Sequence, residues 1–485
     1  PVEAPAVVAG AVRAAAAVRA AAAVADAEAV VPADVAIAPA GEGPSGAACG
    51  RRRAISAACS ASNKRPSKAA GLFARPLLSW RRRMLVRCSL TALPLRFVDA
   101  GEVFDTLLAV TEGWSFAVLA GEVDGTALSI SRNEEGFAIE EAGRETLHEP
   151  SAVSAACSLI VVLLNRMIED EADLLCLHAG AVAIGGRTIV FPSTHRAGKS
   201  TLGAALAFRA HKVVADDILP LDCAGDGIRA IASGVAPRLR VPLPRALGLR
   251  FRFSAWRAAG PDDGYYRYLH LPSSLKCPLG ERHELAAFVF LERSSGQRGA
   301  QLQAVDKASA MRSLLIQNFG TAAAPEAIVG RIDRLTDENP AFLLRYGDLG
   351  EAAMVLERSF GAAEPACRLW ASLERTALPI RTVERVEPLR DGGERGERMI
   401  CQRPGIVCKR TEGSAFLADP EHGGIFALDA VGAAVWMLME EPVSVQELTC
   451  ALGEAFSDVE PERIAADIDR LVQMLLANRL AVEAA

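Results

Sequence analysis

FPSTHRAGKSTLGAAL (191–206) closes on Gly198-Lys199-Ser200-Thr201, the second half of a phosphate-binding loop. Such a loop needs backbone N–H groups that converge on an anion, which requires backbone angles that favour glycine. It also needs a helix whose positive end faces the anion, a lysine that reaches the β/γ-phosphates and a hydroxyl for Mg2+. RTIVF (187–191) reads as the buried strand ahead of the loop, and KSTLGAALAFRA (199–210) as the helix behind it. Ser193 stands where a glycine normally opens the loop, and Thr194, His195 and Arg196 fill its middle. A non-glycine residue forced to positive φ costs on the order of 1 kcal/mol or more. The loop has therefore changed shape or lost affinity. Arg196 either adds a cation at the phosphates or faces solvent, and His195 reads as a surface imidazole.

Working outward, LLCLHAGAVAI (174–184) is a strand-like apolar run, and Gly185-Gly186 marks a hairpin turn. KVVADD (212–217) is a strand that stops at two aspartates. If it runs parallel to 187–191, Asp216 and Asp217 emerge at the sheet end that carries the loop. Phosphoryl transfer needs carboxylates there, one for Mg2+ and one to orient or deprotonate the acceptor hydroxyl. Without the loop, the same pair would read as a solvated strand end before Pro220.

The 485 residues suffice for two to four domains, and 51% are hydrophobic, enough for a large core. The net charge of −6 gives no general argument for nucleic acid or anionic membrane as a partner. Eleven cysteines show no CxxC pair and no zinc-type Cys/His spacing, so reduced thiols in a cytoplasmic protein are expected. The longest apolar run, LIVVLL (159–164), is too short to cross a bilayer, and no signal peptide is recognisable.

Residues 1–90 are Ala/Val-rich, then Gly/Ser/Arg-rich, with thirteen Lys/Arg against five Asp/Glu. Few large apolar residues are available to fix a core, so a disordered basic tail is expected. The first methionine is Met84, so residues 1–83 also read as an over-extended start or a fragment's tail, and a transit peptide is a further reading. LPLRFVDA, WSFAVLAG and TALSIS mark short strands in an α+β region over 91–170, closed by a helix at 151–169 with Ser151 as cap. A phosphate-loop α/β unit follows over 171–365, with strands at 285–292 and 341–348 and helices at 308–319 and 349–360. A linker is expected over 366–400, its Arg/Glu-rich part beginning at 378, and a separate unit over 401–485. DDGYYRYLHLP (262–272) either covers the site as a loop or packs Tyr265, Tyr266 and Tyr268 into the core. Arg238 and Arg240 either contact phosphate or are solvated.

HAGAV…GGRTIVFPSTHRAGKST…VVADD resembles the catalytic domain of HPr kinase/phosphorylase and its relatives. His178 lies 21 residues before Lys199, and Asp216 lies 17 after it, as in that pattern. The resemblance extends by pattern over roughly 91–365, and its specific motifs sit in 177–222. It implies an ATP- and Mg2+-dependent serine kinase with Lys199 on the β/γ-phosphates and Ser200 and Asp217 at the metal. Asp216 would be the base for an acceptor serine, and His178 would line the site. A buried histidine satisfied by backbone is the alternative for His178. Ser193, Arg196, Ala197, Gly198, Lys199, Ser200 and Thr201 would form the nucleotide cradle. Ser193 and Arg196 depart from the glycines of the family loop, and the family's HPr-docking elements are not recognisable.

In 401–485, GSAFLADP and GIFALD form a hairpin around His422-Gly423, and three helices follow, a winged-helix-like α+β outline. Asp429 caps the first helix, and Ser444 with Glu447 forms a capping box on the second. Ile464, Ile468, Leu471 and Leu475 stripe the third. Six Lys/Arg against fourteen Asp/Glu would repel a phosphate backbone, so nucleic acid is not expected. LDAVGAAVWMLMEEPVSVQELTCAL…IAADIDRLVQMLLANRLA resembles the PqqD family of peptide-recognition elements. That resemblance implies a leader peptide added as a strand at the sheet edge, in a groove between 424–428 and 464–475.

The combined expectation is a kinase that modifies a ribosomally made precursor peptide, or a serine-bearing protein, held by the C-terminal unit. The rival is a non-catalytic adaptor with a degenerate nucleotide site. No membrane partner is expected, and homo-oligomerisation is left open.

Overall fold

A computed structural model describes residues 35–37, 83–119, 127–169, 171, 173–192, 197–294, 296–319, 323–361, 366–378, 398–456 and 459–484. The protein is a mixed α/β molecule with several sheets. Its N-terminal region is a six-stranded sheet covered by α1 (Gly101–Val110) and α2 (Ala152–Glu169). The first of those strands, Arg83–Cys88, falls inside the segment expected to be tail. Ser151 caps α2 as expected, its hydroxyl accepting the Ser154 N–H at 3.0 Å. By length and composition α2 could cross a membrane. Here Leu159, Leu163 and Leu164 are fully buried in the core beneath the sheet.

The central sheet contains β1 (Leu174–Leu177), β2 (Ala179–Ile184), β3 (Arg187–Pro192), β4 (Lys212–Ala215), β5 (Arg282–Arg293) and β6 (Ala341–Tyr346). The run read as one strand over 174–184 is broken at His178. β1 pairs with the strand Leu219–Asp222, whereas β2 pairs with β3 and β4. The hairpin turn is at Gly185-Gly186, both at positive φ. β2 runs antiparallel to both β3 and β4, so β3 and β4 point the same way on either side of it. The C-terminal ends of β3 and β4 and the start of β2 therefore share one end of the sheet. α3 (Lys199–Ala207), α4 (Lys307–Gln317), α5 (Pro325–Glu338) and α6 (Leu349–Phe360) pack on this sheet. The Arg/Glu-rich part of the expected linker lies largely outside the described residues.

The C-terminal unit has β7 (Val407–Thr411), β8 (Ser414–Ala418) and β9 (Ile425–Leu428), then α7 (Ala430–Leu438), α8 (Val445–Ala455) and α9 (Pro461–Ala477). Asp429 accepts the Gly432 N–H at 2.9 Å, and Ser444 and Glu447 form the expected capping box. Ile464, Ile468, Leu471 and Leu475 are buried as core. β8 alternates two apolar faces. Ala415 and Leu417 meet the unit's own helices, whereas Phe416 and Ala418 join Ile328, Val329 and Ile332 of α5. The sheet is thus sandwiched between its own helices and the central unit. The backbone of Val35–Ile37 lies antiparallel along β9, at the edge of this sheet.

Candidate functional site

Gly198 sits at φ +99 before α3, and a Cβ there would meet the Tyr346 hydroxyl at 2.9 Å. Left-handed angles and lack of space both require glycine. The turn into α3 then buries Lys199, which keeps only 6% of its surface exposed. Burial pulls the Lys199 ammonium below its ordinary pKa, and the charges of Asp217 and Asp216 act against that shift. Ala197, Gly198, Ser200 and Thr201 are half-buried around it. Ser193 and Arg196, the other two residues expected in the cradle, lie outside the described residues, as does His195.

Asp216 and Asp217 follow β4 at the same end of the sheet. Asp216 is buried; it accepts the Arg238 backbone N–H at 2.9 Å and hydrogen-bonds the Ser200 side chain. Burial, helped by the charge of Asp217, pushes its carboxyl up to about 7 against those two hydrogen bonds. Asp217 shifts the other way. Burial alone would raise it, but His178, Arg238 and Lys199 hold it well below the ordinary carboxylate range. Asp217 adopts φ +69, a region few non-glycine residues occupy, and such strain concentrates at functional sites.

His178 precedes β2. Its N–H donates to the Gln317 carbonyl at the end of α4 at 2.7 Å, and its Nε2 lies 3.3 Å from Asp217 Oδ1. The histidine therefore meets the carboxylate pair and is also anchored by backbone. The structure brings together His178, Lys199, Ser200, Asp216 and Asp217.

Arg238 has a larger part than the sequence reading gave it. Its Nη2 is 3.3 Å from Asp217 Oδ2, and its guanidinium lies 4.4 Å from the Tyr266 ring centroid. The PRLR spacing carried no signal that separated Arg238 from Arg240, which instead reaches the Tyr266 hydroxyl at 3.2 Å. The tyrosine-rich stretch divides: Tyr268 is core, Tyr266 lies under Arg238, and Tyr265 is exposed.

The donor set suits the groups implied for it. Two carboxylates and a hydroxyl are hard oxygen ligands of the kind Mg2+ takes. A buried lysine beside a helix N-terminus suits a phosphate.

Residues 415–481 match the family model described as Coenzyme PQQ synthesis protein D (PqqD). The chain thus carries a PqqD-family domain at its C-terminus, as the sequence resemblance implied. The solved structure of the Hpr(Ser) kinase/phosphatase from Coxiella burnetii is similar at 14% identity, over 38% of this chain and 91% of that chain, with a TM-score of 0.22. No curated protein sequence matches the chain.

Proposed function

We propose that this protein is an ATP-dependent serine kinase for a ribosomally made precursor peptide, held by its PqqD-family domain. The observation that carries the reading is the convergence of the buried Lys199 and Asp216 with Ser200 and Asp217 at one end of the sheet. Lys199 and the α3 N–H groups bind the phosphates. Ser200 and Asp217 hold Mg2+, which when bound neutralises charge on the transferring phosphoryl group. Asp216, with its carboxyl near 7, accepts the proton of the acceptor serine. The serine Oγ then bonds to the γ-phosphorus as the bond to the leaving ADP oxygen breaks. Arg238 and His178 hold Asp217 ionised. The PqqD match supports a peptide partner, which would add as a strand along β9 in place of Val35–Ile37.

The adaptor reading keeps one specific support: Ser193 and Arg196 replace loop glycines. Calorimetric titration with Mg-ATP separates the two. The kinase reading expects binding by wild type and its loss, by about 100-fold or more, in Lys199→Ala. Failure of wild type to bind Mg-ATP removes the kinase reading.

A further inference from the structure

At the opposite end of the sheet from the phosphate loop, Cys277, Glu281 and His283 converge. One donor atom from each lies within 4.8 Å of the others. The local sequence explains how. CPLGERH folds through a turn in which the Glu281 N–H donates to the Pro278 carbonyl at 3.2 Å, with Gly280 at φ +84. The Cys277 N–H is held by the Val213 carbonyl at 2.9 Å, at the start of β4. Reciprocal bonds between 232 and 280–281 fix the far side, and His283 is then carried on β5.

Two features separate this cluster from ordinary packing. His283 Nε2 is buried 3.3 Å from Glu281 Oε1, in a geometry that makes no hydrogen bond. Cys277 is a free thiol with 1% of its surface exposed, yet its sulfur faces a carboxylate and an imidazole rather than only apolar groups. Burial holds the His283 imidazole below its usual pKa and pushes the Cys277 thiol up to about 11, so an ion bound here must displace the thiol proton.

We propose that Cys277, Glu281 and His283 form a binding site for a zinc-like transition-metal ion. The donor chemistry selects the ion: a thiolate and an imidazole suit Zn2+ or Co2+ and reject Mg2+. Tetrahedral coordination at ordinary Zn–S and Zn–N lengths places donors about 3.5 Å apart, so the cluster closes slightly on binding. On binding, the Cys277 thiol loses its proton to solvent and a sulfur–metal bond forms. Thiolate and Glu281 carboxylate then carry two negative charges against the divalent ion. The Glu281 side chain is 40% exposed, which leaves an open side for water as the fourth ligand. The ion would clamp the 277–283 turn to β4 and β5, whose other ends position the twin aspartates and the neighbour of the phosphate loop. The site does not depend on whether ATP is turned over.

Co2+ titration of the full chain in chelator-free buffer with excess Mg2+ tests this. A thiolate-to-cobalt charge-transfer band should saturate at one equivalent and disappear on adding Zn2+. Cys277→Ser should abolish it, whereas Lys199→Ala should leave it intact. Glu281→Gln, at an exposed position that is safe for folding, should weaken Co2+ by at least about tenfold. Absence of a band at stoichiometric Co2+ in wild type overturns the proposal. So does a band of wild-type strength in Cys277→Ser, or unchanged Co2+ affinity in Glu281→Gln.

Discussion

Asp216 and Asp217 are adjacent in the chain but opposite in acidity, because their surroundings differ. Asp216 is enclosed, and burial and the Asp217 charge outweigh the N–H and hydroxyl it meets, whereas Asp217 faces His178, Arg238 and Lys199. That split gives one neutralisable base and one permanent anion. Its sign with pH follows directly. Folding raises the Asp216 carboxyl from near 3.8 to about 7, so the folded state holds a proton that the unfolded state has lost. The contribution of Asp216 to stability is therefore full below about pH 4 and falls as pH rises towards 7. Asp216→Asn keeps an acceptor oxygen and removes the charge. Its melting temperature is expected to gain on wild type between pH 5 and pH 8, read by calorimetry without nucleotide. The same substitution should cost phosphoryl transfer about 100-fold or more, and the wild-type rate should climb with pH and level off above about 7. Gly198→Ala combines a strained φ with a clash on Tyr346, so Mg-ATP binding should fall at least about tenfold, checked by titration.

Much of the element layout was legible in the sequence, and the exceptions have physical causes. Caps and turns are local, so Ser151, Asp429, the Ser444–Glu447 box and Gly185-Gly186 announced themselves. The run 174–184 did not show its break, because an uninterrupted apolar stretch carries no period. The change of strand partner at His178 is a tertiary event. α5 has no counterpart among the expected elements, although Pro325 opens it and Ile328, Ile332 and Leu335 follow at helical spacing. Its role also was not local. Asp333 of α5 takes the Lys307 ammonium at 2.8 Å and the Lys409 ammonium of β7 at 2.6 Å. Burial would raise the Asp333 carboxyl, but the two lysines hold it below its ordinary value. Its contribution is present above about pH 4 and lost as pH falls. Asp333→Asn is expected to cost about 1–2 kcal/mol at pH 7, discounted for the half-exposed Lys409, and less in acid, as measured by urea unfolding.

Taken together, the two units are fused through a buried face. Phe416, Ala418, Ile425 and Ala427 belong to the same core as α5. The PqqD-family sheet is therefore a fixed part of the molecule, with β9 as the edge to which a peptide strand would add. Val35–Ile37 already lies along that edge. An added peptide that uses it must displace this segment, so removing residues 1–82 should raise affinity for a precursor peptide by roughly tenfold, measured by fluorescence anisotropy. Unchanged affinity would place the peptide elsewhere. The sequence suggested both the phosphate end and the peptide module, but their shared core depends on the alternation within β8, which looks like a simple apolar run.

The central claim is that Lys199 and Asp216 transfer phosphate to a serine of a peptide held by residues 415–481. Mass spectrometry of a candidate precursor peptide, after incubation with the full chain, ATP and Mg2+, tests it most directly. The account predicts one added phosphate on a serine with wild type, and none with Lys199→Ala or Asp216→Asn. A wild-type chain that binds the peptide and leaves every serine unmodified would contradict it.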